Sequence, residues 1–144
     1  MKKYYLFLLI VLLLGCKKDK KSSSPMPPNP PVVSLINLWE LQTSISDTYT
    51  NGNLTNGDTT YAAPNDFWIR FNNNNTFIEY ENTAVLDTGN YTYSNNLLTV
   101  MSGIDTIKYT TILTSTTLIL HNIVIDYSAP DTTIFDTELT FRKI

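Results

Sequence analysis

The chain holds one cysteine and one histidine in 144 residues. A single cysteine excludes an intramolecular disulfide framework, so the fold must rest on its apolar core. With one histidine and no cysteine beyond the N-terminal one, a zinc site lacks its usual ligand set. A nucleophilic triad needs a base beside a hydroxyl or thiol; His121 is the sole candidate, and no G-x-S-x-G elbow accompanies it. It sits in the apolar stretch Leu118 to Ile125, as a residue of a strand wall or rim would. Alanine is scarce too. From Leu35 onward only Ala62, Ala63, Ala84 and Ala129 occur, and no convincing 3.6-residue periodicity appears, which argues against helices. Bases are just as few in that stretch. Arg70, Lys108, Arg142 and Lys143 face twelve acids, leaving −8. So acidic a surface repels phosphate backbones and speaks against nucleic acid as a partner. The apolar run from Tyr4 to Leu14 is 11 residues long. That is short of the roughly 20 that a spanning helix requires.

What is present begins at the N-terminus. Lys2 and Lys3 precede that apolar run, and Gly15 follows it, the layout of a secretory signal. Leu13-Leu14-Gly15-Cys16 resembles a bacterial lipobox, which implies signal cleavage before Cys16 and several acyl chains on the new N-terminus. Stable membrane anchoring generally takes more than one chain, at roughly 0.8 kcal/mol per buried CH₂. Residues 1–15 are thus expected to be a lipoprotein signal peptide. Residues 16–34 follow as the lipidated cysteine and a tether rich in Lys, Ser and Pro. Proline favours extended backbone, and the 18 residues after Cys16 reach roughly 60 Å at about 3.3 Å each. Lys17, Lys18, Lys20 and Lys21 sit where they meet anionic head groups, worth about 1 kcal/mol each. Lys17 stands where an Asp commonly marks inner-membrane retention, and Lys17-Lys18-Asp19 resembles a surface-export signal of Gram-negative lipoproteins. Together these imply a lipid anchor in the outer membrane or at the cell surface.

Residues 35–144 make one domain, long enough to bury a core. Thr, Ile, Tyr and Phe are the residues of half-buried pleated surfaces, and apolar positions recur every second residue. Trp39, Leu41, Thr43 and Ile45 are expected on one face of a first strand, and Phe67, Ile69 and Phe71 on a face of a second. Asn72 to Asn75 reads as a turn that returns through Thr76 to Glu81. Gly89 opens a fourth strand carrying Tyr91 and Tyr93, and Asn95-Asn96 is a two-residue hairpin turn. Leu98 and Val100 mark a fifth strand, and Ile107 to Leu113 a sixth. Thr117 to Ile125 makes a seventh and Thr133 to Lys143 an eighth. Eight strands with short connections predict an all-β, antiparallel up-and-down barrel, since closure removes both sticky edges. Such a barrel holds side chains or one small ligand.

Leu38-Trp39-Glu40-Leu41, Phe71-Asn72 with Thr76-Phe77, Gly89-Asn90-Tyr91, Leu97 to Val100, Thr117 to Leu120 and the ending Thr140 to Ile144 resemble the lipocalin-like domain of small bacterial lipoproteins. The motifs are short but cover the whole domain. One departure is Asn37, where the wider lipocalin pattern has glycine two residues before the strand-one tryptophan. The resemblance implies an envelope domain that binds something small and apolar. It also implies that Arg142 packs over Trp39 and closes the barrel bottom by a cation–π contact worth about 1 kcal/mol.

The candidate lining or rim residues are Tyr61, Phe67, Trp68, Tyr80, Tyr91, Tyr93 and Tyr109, because aromatics offer area and tyrosine adds a polar handle. Glu79 and Glu81 share a strand face, and solvent-facing alternation is the expected reading. That reading puts Ile78 and Tyr80 inward and demands an irregularity near Phe77. Asn51 to Asp58 is expected to be an oxygen-rich loop without EF-hand spacing. Three Asp-Thr pairs, at 58–59, 105–106 and 131–132, resemble bacterial O-glycosylation acceptors. No enzyme, cofactor or metal is expected, and the domain is expected to be monomeric. Two readings follow. One is a lipid-anchored module with a small apolar ligand. The other is a filled barrel that meets an envelope protein or glycan through loops Tyr49 to Pro64 and Tyr127 to Asp131.

Overall fold

The computed structural model describes residues 33–128 and 130–144. The expected signal peptide 1–15, the expected lipidation site Cys16 and the expected tether as far as residue 32 lie outside the described residues.

Nine strands follow one another: β1 (Leu38–Thr50), β2 (Asn53–Tyr61), β3 (Phe67–Phe71), β4 (Thr76–Glu81), β5 (Ala84–Ser94), β6 (Leu97–Ser102), β7 (Asp105–Leu113), β8 (Thr117–Asp126) and β9 (Thr133–Lys143). No helix occurs among the described residues. From β3 to β9 each strand pairs antiparallel with the next, β9 pairs with β1, and β1 pairs with β3, which closes an eight-stranded barrel. The all-β antiparallel barrel that the sequence predicts is therefore the fold, with β2 as a ninth strand outside the closed circuit.

β2 occupies the segment expected to be a loop. Asn51 and Gly52 take φ of 51° and 80°, the left-handed pair of a type I′ turn, and this turn folds β2 back onto Thr43–Thr50. Every β2 residue is exposed, so it carries no apolar alternation to betray it. The same turn chemistry recurs at Asn82-Thr83 and Asn95-Asn96, all four residues having positive φ. The first of these starts β5 at Ala84, five residues before Gly89.

β1 does not keep one face. Its register with β9 slips between Leu41 and Thr43, which leaves Gln42 as a bulge. Trp39 and Leu41 face the interior, and beyond the bulge Ser44, Ser46 and Thr48 take over that face. Thr43 and Ile45, expected alongside Trp39, therefore lie outside. A bulge exchanges faces because side chains alternate with period two.

One end of the barrel, called the base here, is where β1 starts and where the β3–β4, β5–β6 and β7–β8 turns lie. It is filled. Leu35, Trp39, Phe71, Phe77, Tyr91, Leu98, Leu118 and Phe141 are all buried there. Polar atoms in this plug are satisfied: Trp39 Nε1–H donates to the Leu35 carbonyl at 2.8 Å, and the Tyr91 hydroxyl donates to the Asn72 carbonyl at 2.8 Å. Phe71 meets Tyr91 edge-on with centroids 5.0 Å apart, the geometry aromatic quadrupoles prefer. At Gly89 β5 runs so close to β6 that an added Cβ would sit 2.0 Å from the Met101 carbonyl oxygen and 2.6 Å from Phe77 Cε1.

Candidate functional site: a cavity in the open half of the barrel

The end opposite the base is less tightly closed. β1 pairs with β3 only over Leu38–Glu40, and beyond that its edge is taken by β2. β7 pairs with β8 only over Thr110–Leu113. Just past this pairing the Asn122 side-chain amide donates to the Lys108 carbonyl at 2.7 Å, a single link where the ladder has stopped. The far halves of β8, β9, β1 and β2 thus form a four-stranded extension, separate in its pairing from β3–β7. The Asn51 amide donates to Asp131 at 2.7 Å, and the Thr132 N–H donates to the Asn51 side chain at 3.1 Å; together they tie the β1–β2 turn to the β8–β9 connection.

Between these two halves lies a cavity of about 330 Å³, lined by Phe67, Ile69, Glu79, Asp87, Val100, Ser102, Asp105, Ile107, Tyr109, Leu120, Leu139 and Phe141. This is at the small end of the range for ligand pockets. Its wall is aliphatic and aromatic, and its polar groups gather towards the open end. Glu79 corrects the expectation of solvent-facing alternation. Phe77 and Glu79 both face inward, because Phe77 stays on the core face and the irregularity falls later, between Glu79 and Tyr80, where β5 carries the extra residue Leu86. Burial pushes the Glu79 carboxyl above the usual range, and the Asp87 charge opposite it adds to the shift. Burial raises the Tyr109 hydroxyl, with the Glu79 charge as a second cause. Asp87 is held in place: its Oδ1 accepts from Ser102 Oγ at 2.6 Å and from the Thr88 N–H at 2.7 Å.

Of the seven aromatic candidates, Phe67 and Tyr109 line this cavity. Tyr91 belongs to the plug. Tyr93 faces inward near the base, its hydroxyl 3.4 Å from both Asn96 Oδ1 and Thr111 Oγ1. Trp68 and Tyr80 lie on the outer face, where their rings tilt together at 6.0 Å and Arg70 sits 6.0 Å over Tyr80. Trp68 Nε1 is buried there with no acceptor among the described residues. Tyr61 is exposed at the end of β2. Sequence reasoning missed Asp87, Ser102 and Asp105 as lining residues. Their signal was the period-two alternation they share with Tyr91, Val100 and Tyr109, hidden because the expected fourth strand opened only at Gly89 and inward acids run against the usual preference.

Trp39 and Arg142 both belong to the base but on opposite faces. Trp39 fills the interior, while Arg142 points outward with Glu40, its partner on β1. The buried Glu40 carboxylate accepts from the Asn65 N–H at 2.8 Å, from Arg142 Nη2 at 2.5 Å and from Gln42 at 3.3 Å. The Asn65 amide first, then the Arg142 guanidinium, hold it below the ordinary carboxylate range. This carboxylate fastens the β2–β3 connection to the outside of the barrel.

His121 lies on the outer face of β8, its Nε2 2.6 Å from Asp136 Oδ1, with the Thr110 hydroxyl 3.5 Å from Nδ1. That hydroxyl also donates to the His121 carbonyl at 3.3 Å, and the two residues face each other in the ladder, so it serves as a link between strands. Among the described residues no group of three or more His, Cys, Asp or Glu side chains is arranged to hold a metal ion. The residues of the oxygen-rich segment 51–58 form the β1–β2 turn and the exposed start of β2, and of the Asp-Thr threonines, Thr59 and Thr106 are exposed.

Compared with protein-family models, with curated proteins and with solved structures, the chain matches none.

Proposed function

We propose that this chain is a lipid-anchored envelope lipoprotein whose lipocalin-like barrel binds a small, largely apolar ligand and carries out no catalysis. The observation that carries the reading is the cavity of about 330 Å³ at the incompletely paired end of the barrel. A barrel meant only as a scaffold gains by filling both ends, since every void forfeits dispersion and burial. Here the plug fills one end and a shaped apolar chamber remains at the other. Cys16 and the lipobox-like Leu13–Cys16 supply the anchor in the outer membrane or at the cell surface, and the tether sets the domain clear of the bilayer.

Native mass spectrometry of the domain, purified from its own envelope, tests the binding role. A small molecule carried natively and lost on denaturation is the expected result. An empty domain that also fails to take up apolar probes rejects it. The anchor is tested separately: Cys16→Ser should abolish acyl labelling and free the protein from membranes, and continued labelling refutes the lipobox reading.

An interaction module is the second reading, and one observation favours it. Ile125, Ile134, Tyr49 and Leu54 form a continuous row across β8, β9, β1 and β2 on the outer face of the extension. Crosslinking on cells, with capture of an envelope protein or glycan lost in Tyr49→Ser, would support that reading.

A further inference from the structure

The barrel cavity carries more chemical information than its apolar wall. Three carboxylates border it, Glu79 from β4, Asp87 from β5 and Asp105 from β7. Glu79 and Asp87 are direct cross-strand partners, and like charges in that position repel. Among the described residues no basic side chain lines the cavity and none pairs with these acids. The domain's four bases are placed elsewhere. Arg70 lies over Tyr80 on the outer face, Arg142 is bound to Glu40, Lys108 is exposed on the outer face of β7, and Lys143 ends β9 at the base.

The carboxylates also differ in readiness. Asp87 is fixed by Ser102 and Thr88. Glu79 has no hydrogen-bond partner among the described residues, although it is half-buried and faces the chamber. Burial and the Asp87 charge raise its carboxyl, which is the electrostatic signature of an acid kept without its counter-ion. A ligand that brings a positive charge relieves this repulsion on entry. A neutral ligand leaves it, and an anion worsens it. The surrounding Phe67, Ile69, Val100, Leu120, Leu139 and Phe141 meanwhile demand an apolar body.

Building on the binding reading above, we infer that the ligand is a cationic amphiphile: an alkyl or ring body for the apolar chamber and an amine for Glu79, Asp87 and Asp105 at its open end. The amine is expected to donate to Glu79 first, because its acceptors are free, with Asp87 and Asp105 supplying charge.

The test uses residues 31–144, which form a compact unit of their own, titrated at neutral pH by calorimetry with octylamine, octanol, octanoate and methylamine. The expected result is octylamine tightest, at least 10-fold over octanol, with octanoate weaker still and methylamine undetected. In Glu79→Gln the preference for octylamine over octanol should fall to less than 3-fold while octanol binding is kept or improved. Asp105→Asn, at an exposed position, should lower the preference in part, and Glu138→Gln on the outer face should leave it unchanged. Octanol or octanoate binding as tightly as octylamine overturns the cationic ligand and leaves the binding module standing. No saturable binding of any of the four overturns both readings. Methylamine binding as well as octylamine overturns the amphiphile and reduces the site to a cation site.

Discussion

Gly89→Ala should unfold this domain more readily than any other single added methyl at a glycine, and the reason is local geometry rather than helix or strand propensity. The new Cβ would lie 2.0 Å from the Met101 carbonyl oxygen and 3.0 Å from its carbon. Ordinary contact for such atoms is about 3.5 Å, so β5 and β6 must separate by on the order of 1.5 Å. Neither neighbour gives way cheaply. Met101 contributes backbone, and Phe77 is fully buried in the base plug. Overpacking of this kind costs about 1–3 kcal/mol, and moving β6 also weakens ladder bonds around the Asn90–Met101 pair, each worth about 1 kcal/mol. The expected loss is about 3–4 kcal/mol, a large share of the roughly 5–15 kcal/mol of a typical domain. Gly103→Ala is the control. It meets nothing within 4 Å, and its φ of 56° costs an alanine about 1–2 kcal/mol. Urea unfolding of residues 31–144, followed by tryptophan fluorescence, reads both. If Gly89→Ala loses no more than Gly103→Ala, the close approach of β5 to β6 is not a constraint and the reasoning fails.

Two further predictions concern the carboxylates. Glu40 is held below the ordinary range in the folded state, so its contribution is present above the usual carboxylate pKa and is lost as pH falls through the lowered one. Glu40→Gln should therefore cost about 1–3 kcal/mol at pH 7 and progressively less at acid pH, checked by unfolding midpoints across pH 2–7; a loss independent of pH would contradict it. Glu79 has the opposite sign. Its carboxyl is raised, so wild type and Glu79→Gln should be equally stable below the usual carboxylate range, and the variant should become the more stable one as pH climbs through that range towards the raised value. A Glu79→Gln domain that is less stable than wild type at pH 7.5 would show that the carboxylate is not repelled in the cavity.

Much of the barrel was legible because its informative positions alternate. Phe67, Ile69 and Phe71 share a face, as do Tyr91 and Tyr93, and the Asn95-Asn96 turn carries its own backbone signal. What stayed hidden follows from single extra residues that carry no sequence signature of their own. The bulge at Gln42 swaps the faces of β1, and Leu86 does the same in β5, so a strict period of two misassigns every residue beyond them. β2 was hidden for another reason: a strand exposed on both faces has no apolar alternation, and its Asn and Gly content reads as loop. The cavity was the hardest to read. Glu79 is a charged residue on an inward face, against the ordinary preference for carboxylates in water, and only its strand neighbour Phe77 hinted at it.

The division between a filled base and an open chamber has a single structural origin in β1. At thirteen residues it is the longest strand, and it divides one edge between two partners, β3 over its first residues and β2 over the rest. Where β1 meets β3, Trp39 and Ile69 are drawn together with Phe141, and the barrel is sealed. Where β1 has turned to β2, β3 has no partner on that side and the circuit cannot close tightly. The Gln42 bulge lies at this same changeover. It exchanges Trp39 and Leu41 for Ser44, Ser46 and Thr48 on the inner face, so the upper part of β1 brings hydroxyls where the base has an indole. Small polar side chains neither fill the upper barrel nor neutralise Glu79 across it. Replacing Val100 or Ile107, both in the chamber wall, with phenylalanine should shrink the chamber and weaken octylamine and octanol alike. Replacing Glu79 should weaken octylamine and spare octanol, and it is this contrast between volume and charge that distinguishes a binding chamber from an imperfectly packed core.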